Sequence, residues 1–334
     1  MIKSTKSVGI IGTGSFVPEK VLTNNDLEKL VDTSDEWIRK RTGISERHVL
    51  DEDVPNYTMG IEAAKRALED AGVEPEEIDL IIVSTETPDY MSPSMACIIQ
   101  GAIGAVNAAA FDINAACTGF IYSLSVAQQF IANGVYKHAL VIGCEGLSKI
   151  VDWKDRNTCI LFGDASGAVV LGVVDEGYGI LDLFLGSNGA EGMKITIPNL
   201  YISEEEKKKR PNGKFNSLWM DGKEVFKFAV KAMSTATMHV LDNLNLDISE
   251  LDFIFPHQAN TRIIDGAIKK LGITDDKIHY IINKYGNISS ASIPVAMDEA
   301  QRKGKLKKGD NMLLVAFGGG LTWAQWLLSG INSN

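Results

Sequence analysis

Residues 117–134 read CTGFIYSLSVAQQFIANG, and a second stretch, NISSASIPVAMDEAQRKG at 287–304, runs parallel to them. Both open on small residues, continue in a helical pattern and close on glycine. Phe120–Ile131 is apolar nearly all round, which predicts a buried helix. Working outward, EEIDLIIVS (76–84) is answered by SELDFIFPH (249–257), 173 residues later, and ALVIG (139–143) by MLLVA (312–316) at the same spacing. The two helical stretches align at an offset of 170, which sets Cys117 opposite Asn287. Order and spacing agree three times. We therefore read a duplicated α/β unit, with halves at 1–174 and 218–334 and a connecting segment at 175–217.

The rest of the chain alternates in the same way. Leu80–Ser84, Ala139–Gly143, Ala168–Val174, Phe253–Phe255 and Met312–Phe317 read as strands. Met59–Ala71, Lys223–Leu244 and Thr261–Leu271 read as amphipathic helices. Such alternation implies layered α/β architecture. In the connecting segment, SEEEKKKRPNG (203–213) is a mixed-charge run ending in a Pro-Asn-Gly turn signal. It reads as a solvated loop or short helix, with a flap over a site as the alternative.

Composition narrows the function. The chain has 334 residues and a formal net charge of −10, which argues against a general nucleic-acid binder. No run of 18 apolar residues suggests a membrane span. The opening MIKSTKSVGIIGTG does not read as a signal peptide. Cys97, Cys117, Cys144 and Cys159 stand far apart with no CxxC, so we expect a reducing, cytoplasmic setting. No His/Cys cluster suggests a metal.

Three residues carry candidate chemistry. Cys117, in DINAACTGF, follows a strand and opens the buried helix, where a helix N-terminus would lower the thiol pKa. A buried inert thiol is the alternative. His257, in FIFPHQAN, stands directly after an apolar strand, where α/β proteins place site residues; a satisfied structural histidine is the alternative. Asn287, in KYGNISSASIP, could donate to an oxyanion or merely cap a helix. The glycines of AFGGGLTW (316–323) let backbone N–H groups face a ligand, so Gly319 and Cys117 are candidate oxyanion donors. A papain-like protease fails on context, because AACTGF is not its signature. GTGSFV (12–17) hints weakly at a dinucleotide loop but lacks the third glycine.

Together AACTGF, PHQANTRI, YGNISSASIP and AFGGGLTW resemble the β-ketoacyl-acyl-carrier-protein synthase III family of the thiolase superfamily. SDEWIRKRTGISERH (34–48) and FGDASGAVVL (162–171) match it as well, so the likeness spans essentially the whole chain. The resemblance implies a five-layered αβαβα fold, a homodimer, and a transferase that condenses an acyl-CoA with malonyl-acyl-carrier protein. It implies Cys117, His257 and Asn287 as the catalytic set, with no cofactor beyond the CoA thioester. It carries CoA binding onto Trp37, Arg41, Arg156, Gly222, Phe226 and Asn260. Carrier-protein binding falls on Arg262, Lys227, Lys269 and Lys270. Lys223, Lys227 and Lys231 form a further basic stripe. The loop STETPDYMSP (84–93) matches the segment that closes the acyl pocket across the family's dimer. Ser92 stands there where some members have a bulky aromatic, which suggests a roomier pocket unless Tyr90 or Met91 fills it. A condensing enzyme of secondary metabolism and a non-catalytic thiolase-like partner subunit are the alternatives.

Overall fold

The computed structural model describes residues 6–331 apart from 211 and 213. Pro211 and Gly213 of the expected Pro-Asn-Gly turn thus lie outside the described residues.

Two sheets share one winding order. The first contains β1 (Val8–Phe16), β2 (Leu80–Ser84), β3 (Ala109–Ile113), β4 (Ala139–Gly146) and β5 (Asp164–Val173) in the order β1-β5-β4-β2-β3. The second contains β6 (Gly179–Ser187), β7 (Phe253–Pro256), β8 (Asn311–Gly318) and β9 (Thr322–Ser329) in the order β6-β9-β8-β7. In each sheet the corresponding central strands are parallel neighbours, β2 with β4 and β7 with β8.

Seven helices matter for the site: α1 (Asp35–Thr42), α2 (Tyr57–Ala71), α3 (Met95–Ile103), α4 (Gly119–Ala132), α5 (Gly222–Leu244), α6 (Thr261–Leu271) and α7 (Ser292–Arg302). One core joins α4 and α7 to the inner faces of both sheets, through Phe120, Leu124, Met297, Leu314 and Trp326. A second packs α2 and α3 on the outer face of the first sheet, and a third packs α5 and α6 on the outer face of the second. The layers therefore run αβαβα. Helix α4 lies in the middle layer, which is why its sequence has no polar face. Among the described residues no helix is long and apolar enough to cross a membrane.

Three expectations need correction. First, the helical stretches align at 173, not 170. Turns Ala116–Thr118 and Ser289–Ala291 correspond, and α4 and α7 begin at Gly119 and Ser292. Both turns force a positive φ on a non-glycine residue, 50° at Ala116 and 45° at Ser289. Both are tied by an asparagine, since Asn114 Oδ1 accepts from Ala116 N and Asn287 Oδ1 from Ser289 N. Asn287 thus matches Asn114, and Cys117 matches Ser290. The terminal glycines misled because α7 has 11 residues where α4 has 14.

Second, the segment 175–217 is more than a connection. It supplies β6, the edge of the second sheet, paired antiparallel with β9. Among the described residues, its mixed-charge run forms the short helix Glu204–Lys208. Third, Gly12–Phe16 of GTGSFV form the end of β1 rather than a phosphate loop. A Cβ on Gly12 would stand 2.5 Å from Ala71 N, and one on Gly14 2.4 Å from Ala67 N. These glycines let α2 lie directly on the strand.

Candidate active site

Cys117 and His257 sit where strands end, whereas Asn287 follows the short helix Ile282–Tyr285 and is bridged to Phe162, because among the described residues the second sheet has no counterpart of β3. His257 extends the parallel ladder beyond β7, its N–H donating to Val315 O at 2.8 Å. Asn287 is pinned between backbone partners, donating to Leu161 O at 2.8 Å and accepting from Gly163 N at 3.1 Å. Cys117 occupies the turn between β3 and α4. The glycine turn between β8 and β9 faces it closely. A Cβ on Gly318 would lie 2.8 Å from Cys117 N and 3.2 Å from Cys117 Cβ.

The fold brings these groups to one cavity of about 650 Å³, lined by Cys117, His257, Asn287, Ser289, Glu86 and Gly319. His257 is 1 % exposed and stacks edge-on to Phe317 at 5.1 Å. Burial pushes its pKa down to about 3, so the ring is neutral near pH 7. Ser292 Oγ stands 2.9 Å from His257 Nδ1 and 2.8 Å from Ser289 O. As it stands that hydroxyl donates to Ser289 O, and only when it leaves that bond and turns to the ring does Nδ1 accept and the imidazole proton sit on Nε2. Nε2 is buried and has no partner among the described residues. Asn287 spends Oδ1 on Ser289 N at 2.9 Å, which leaves its NH₂ group to donate into the cavity.

Cys117 departs from expectation. Burial, then the charge of Glu86, push its thiol well above the ordinary value, opposed by its hydrogen-bond contact with Ser289 Oγ at 3.3 Å. The helix proper starts two residues later, at Gly119, and the desolvation of the sulfur outweighs its N-terminal field. The resting group is a thiol whose proton must leave as it attacks.

Trp37, Arg41, Gly222, Phe226, Asn260 and Arg262 line the same cavity, and Trp37, Arg41, Gly222 and Arg262 are exposed at its mouth. Arg41 and Arg156 both lie over the Trp37 ring, at 5.7 and 5.3 Å. Arg156 does not itself line the cavity, and it donates to Asp32 O at 2.7 Å. Asn260 is already engaged, capping α6 through Arg262 N and donating to Arg41 O. Lys227 and Arg262 reach the mouth, with Lys227 paired to Glu224 and Arg262 over Phe226. Lys269 and Lys270 are exposed at the far end of α6, outside the cavity. Ser92 is exposed and does not line the cavity within its own chain.

The sequence reading missed Glu86, Ser289 and Ser292. Glu86 carried the signal that singled out His257, a titratable residue just after an apolar strand. The serines lie in a run of small residues, and only the turn separates their roles. Gly318→Ala tests how closely the cavity is built. The added methyl must displace Cys117, and acylation should fall about 10–100-fold while circular dichroism stays native.

Comparison with known proteins agrees with this geometry. Family models for 3-oxoacyl-[acyl-carrier-protein] synthase III and for its C-terminal region match residues 111–189 and 241–329. The beta-ketoacyl-[acyl-carrier-protein] synthase III of Caldanaerobacter subterraneus subsp. tengcongensis is 54 % identical over 95 % of this chain and 96 % of its own. That of Clostridium acetobutylicum is 52 % identical over 96 % and 98 %. The crystal structure of 3-oxoacyl-[acyl-carrier-protein] synthase III from Aquifex aeolicus is 45 % identical, with a TM-score of 0.90 over 96 % of this chain and 99 % of that one. The priming beta-ketosynthase of the R1128 polyketide pathway is 34 % identical, with a TM-score of 0.92 over 100 % and 99 %. With the motifs, the layered fold and full-length identity in agreement, this chain belongs to the β-ketoacyl-acyl-carrier-protein synthase III family.

Proposed function

We propose that this enzyme is an acyltransferase that starts type II fatty acid synthesis. It condenses an acyl-CoA primer with malonyl-acyl-carrier protein and releases CoA, CO₂ and a β-ketoacyl-carrier protein. The observation that carries the reading is the meeting of Cys117, His257 and Asn287 in one cavity whose exposed mouth holds Trp37 and Arg41. Cys117 attacks the acyl-CoA thioester and keeps the acyl group. Malonyl-carrier protein then places its thioester carbonyl against His257 Nε2 and the Asn287 amide. Loss of CO₂ leaves enolate charge on that oxygen, and the two donors hold it. Asparagine cannot act as a base, which suits a carbanion made by decarboxylation. The carbanion attacks the acyl-cysteine, and the N–H groups of Cys117 and Gly319 receive the resulting oxyanion. These steps draw on no group beyond the two thioesters.

Adenine stacks on Trp37, which requires a guanidinium to leave that ring, with Arg41 and Arg156 then meeting base and phosphates. Trp37→Ala should raise the KM for acyl-CoA about tenfold and leave kcat nearly unchanged, because stacking is worth about 1–3 kcal/mol per base. The acidic carrier protein meets Arg262, Lys227, Lys269 and Lys270, contacts that set encounter rate and salt dependence. Homodimerisation is supported by β3, which among the described residues pairs on one side only, and by the exposed Phe111, Val106, Tyr90 and Met91 around it. In that dimer Ser92 reaches the partner's acyl pocket. Substrates of this kind place the enzyme in the cytoplasm.

The likeness to the R1128 priming ketosynthase favours one alternative, a condensing enzyme of secondary metabolism with the same three residues. Supplying acetyl-CoA and malonyl-carrier protein and weighing the products decides between them. A β-ketoacyl-carrier product supports the proposal. An acyl-enzyme that malonyl-carrier protein cannot discharge refutes the assigned second substrate.

A further inference from the structure

The loop after β2 holds a carboxyl group that the scheme above leaves idle. Glu86 lines the cavity together with Cys117. Ser289 Oγ stands between them, 3.0 Å from Glu86 Oε1 and 3.3 Å from Cys117 Sγ. A hydroxyl has one proton to give and two lone pairs. A carboxylate can only accept and a thiol can donate, so one arrangement satisfies all three groups: Cys117 S–H to Ser289 Oγ, and Ser289 O–H to Glu86.

Each member is fixed in place. Ser289 is held by its positive φ and by its N–H on Asn287 Oδ1. Glu86 N–H donates to Glu145 Oε2 at 3.0 Å. Glu145 is fully buried and also accepts from Ser290 Oγ at 2.6 Å and from Thr87 Oγ1 at 3.2 Å. Cys117 and His257 share the cavity with Glu86, and Asp89 lies three residues further along the same loop. Asp89 is occupied by the N–H groups of Asn56 and Tyr57. Burial raises both glutamates above the usual carboxylate range, and for Glu145 the charge of Glu86 adds to it. A carboxylate shifted this way is a stronger base, closer to the thiol it serves.

We propose that Glu86, working through the Ser289 hydroxyl, accepts the Cys117 thiol proton as the acyl-enzyme forms. The Cys117 S–H bond breaks and its proton passes to Ser289 Oγ, while the Ser289 proton passes to Glu86 Oε1. The sulfur electron pair forms the bond to the thioester carbon. Collapse of the tetrahedral adduct breaks the carbon–sulfur bond to CoA, and the CoA thiolate takes the proton from Glu86. The enzyme is left acylated, with Glu86 again a carboxylate. Glu86 positions the proton and Ser289 touches the reacting sulfur.

The proposal rests on Cys117 being the acylated nucleophile, and the test separates the two. Acylation by acetyl-CoA is followed by rapid quench and intact mass for wild type, Glu86→Gln, Glu86→Asp, Ser289→Ala and the Gln/Ala double variant. The relay predicts that Glu86→Gln and Ser289→Ala each slow acylation about 100-fold. The double variant should be no slower than either, as expected of residues acting as a unit. The rise of the wild-type rate with pH as Glu86 loses its proton should vanish in Glu86→Gln and persist in Glu86→Asp. A spectator carboxylate gives the opposite sign, because removing a negative charge beside Cys117 favours the thiolate. Acylation by Glu86→Gln at or above the wild-type rate therefore overturns the proposal. Should Glu86→Gln fail to fold, Ser289→Ala decides, and a wild-type rate there overturns it equally. A wild type that takes no acyl group from acetyl-, isobutyryl- or octanoyl-CoA overturns the condensing-enzyme reading itself, and the relay with it.

Discussion

Cys117→Ala should take up no acyl group from acetyl-, isobutyryl- or octanoyl-CoA, while wild type gains one acyl mass that malonyl-carrier protein then discharges. The sulfur is the nucleophilic atom in the cavity, and alanine leaves the oxyanion donors without an attacking group. Removing a nucleophile of this kind costs on the order of 10⁶ in turnover. The fold should survive. Cys117 is only half-buried, its side chain meets Ser289 Oγ, and neither sheet core includes it. His257 and Asn287 remain in place, so the variant should still decarboxylate malonyl-carrier protein. Intact mass and released CO₂ measure the two halves separately. An adduct that persists in Cys117→Ala would move the nucleophile elsewhere. Among wild-type adducts, the preferred acyl chain names the primer and tests whether the small Ser92 leaves a roomy pocket.

Asn287→Asp should do the reverse, acylating normally while decarboxylation falls about 10²–10³-fold, the cost of one lost oxyanion donor. The substitution is nearly isosteric. Its Oδ1 can still accept from Ser289 N, so the positive-φ turn and the start of α7 keep their tie. What changes is the other end of the group, where a donating NH₂ becomes an oxygen that repels the developing enolate. Asn287→Ala is less informative because it removes the turn's tie as well. Burial holds His257 neutral down to about pH 3, so wild-type decarboxylation should show no histidine limb across roughly pH 6–8. Equal acylation and decarboxylation losses in Asn287→Asp would mean the residue supports the turn and not the enolate.

Much of this architecture was legible before any coordinates. The strands at 80–84 and 253–256 announce themselves as short apolar runs, and α4 as a helix without a polar face. His257 could be singled out because a titratable residue directly after a buried strand is conspicuous. β1 and β6 were harder to see. β1 carries glycines where α2 presses on it, and β6 is a half-exposed edge, so neither has the apolar density of a central strand. The mistaken 170 offset has the same root. A glycine marks where a helix stops, whereas the duplication is preserved where the helices start, at two turns whose backbones are strained alike.

By itself, the sequence determined which atoms could do chemistry and the alternation of strands and helices, since covalent identity and hydrophobic period are local properties, while the five-layer order came only through the family resemblance. It named Cys117, His257 and Asn287 across 170 residues of chain. The tertiary structure alone decided their protonation. The thiol is pushed up and the imidazole down because desolvation depends on what the rest of the fold packs around them. It alone placed Ser289, 203 residues from Glu86 in sequence, within hydrogen-bond reach of both that carboxyl and the Cys117 sulfur. Such proximity is a product of the two halves folding against each other, and no local pattern encodes it.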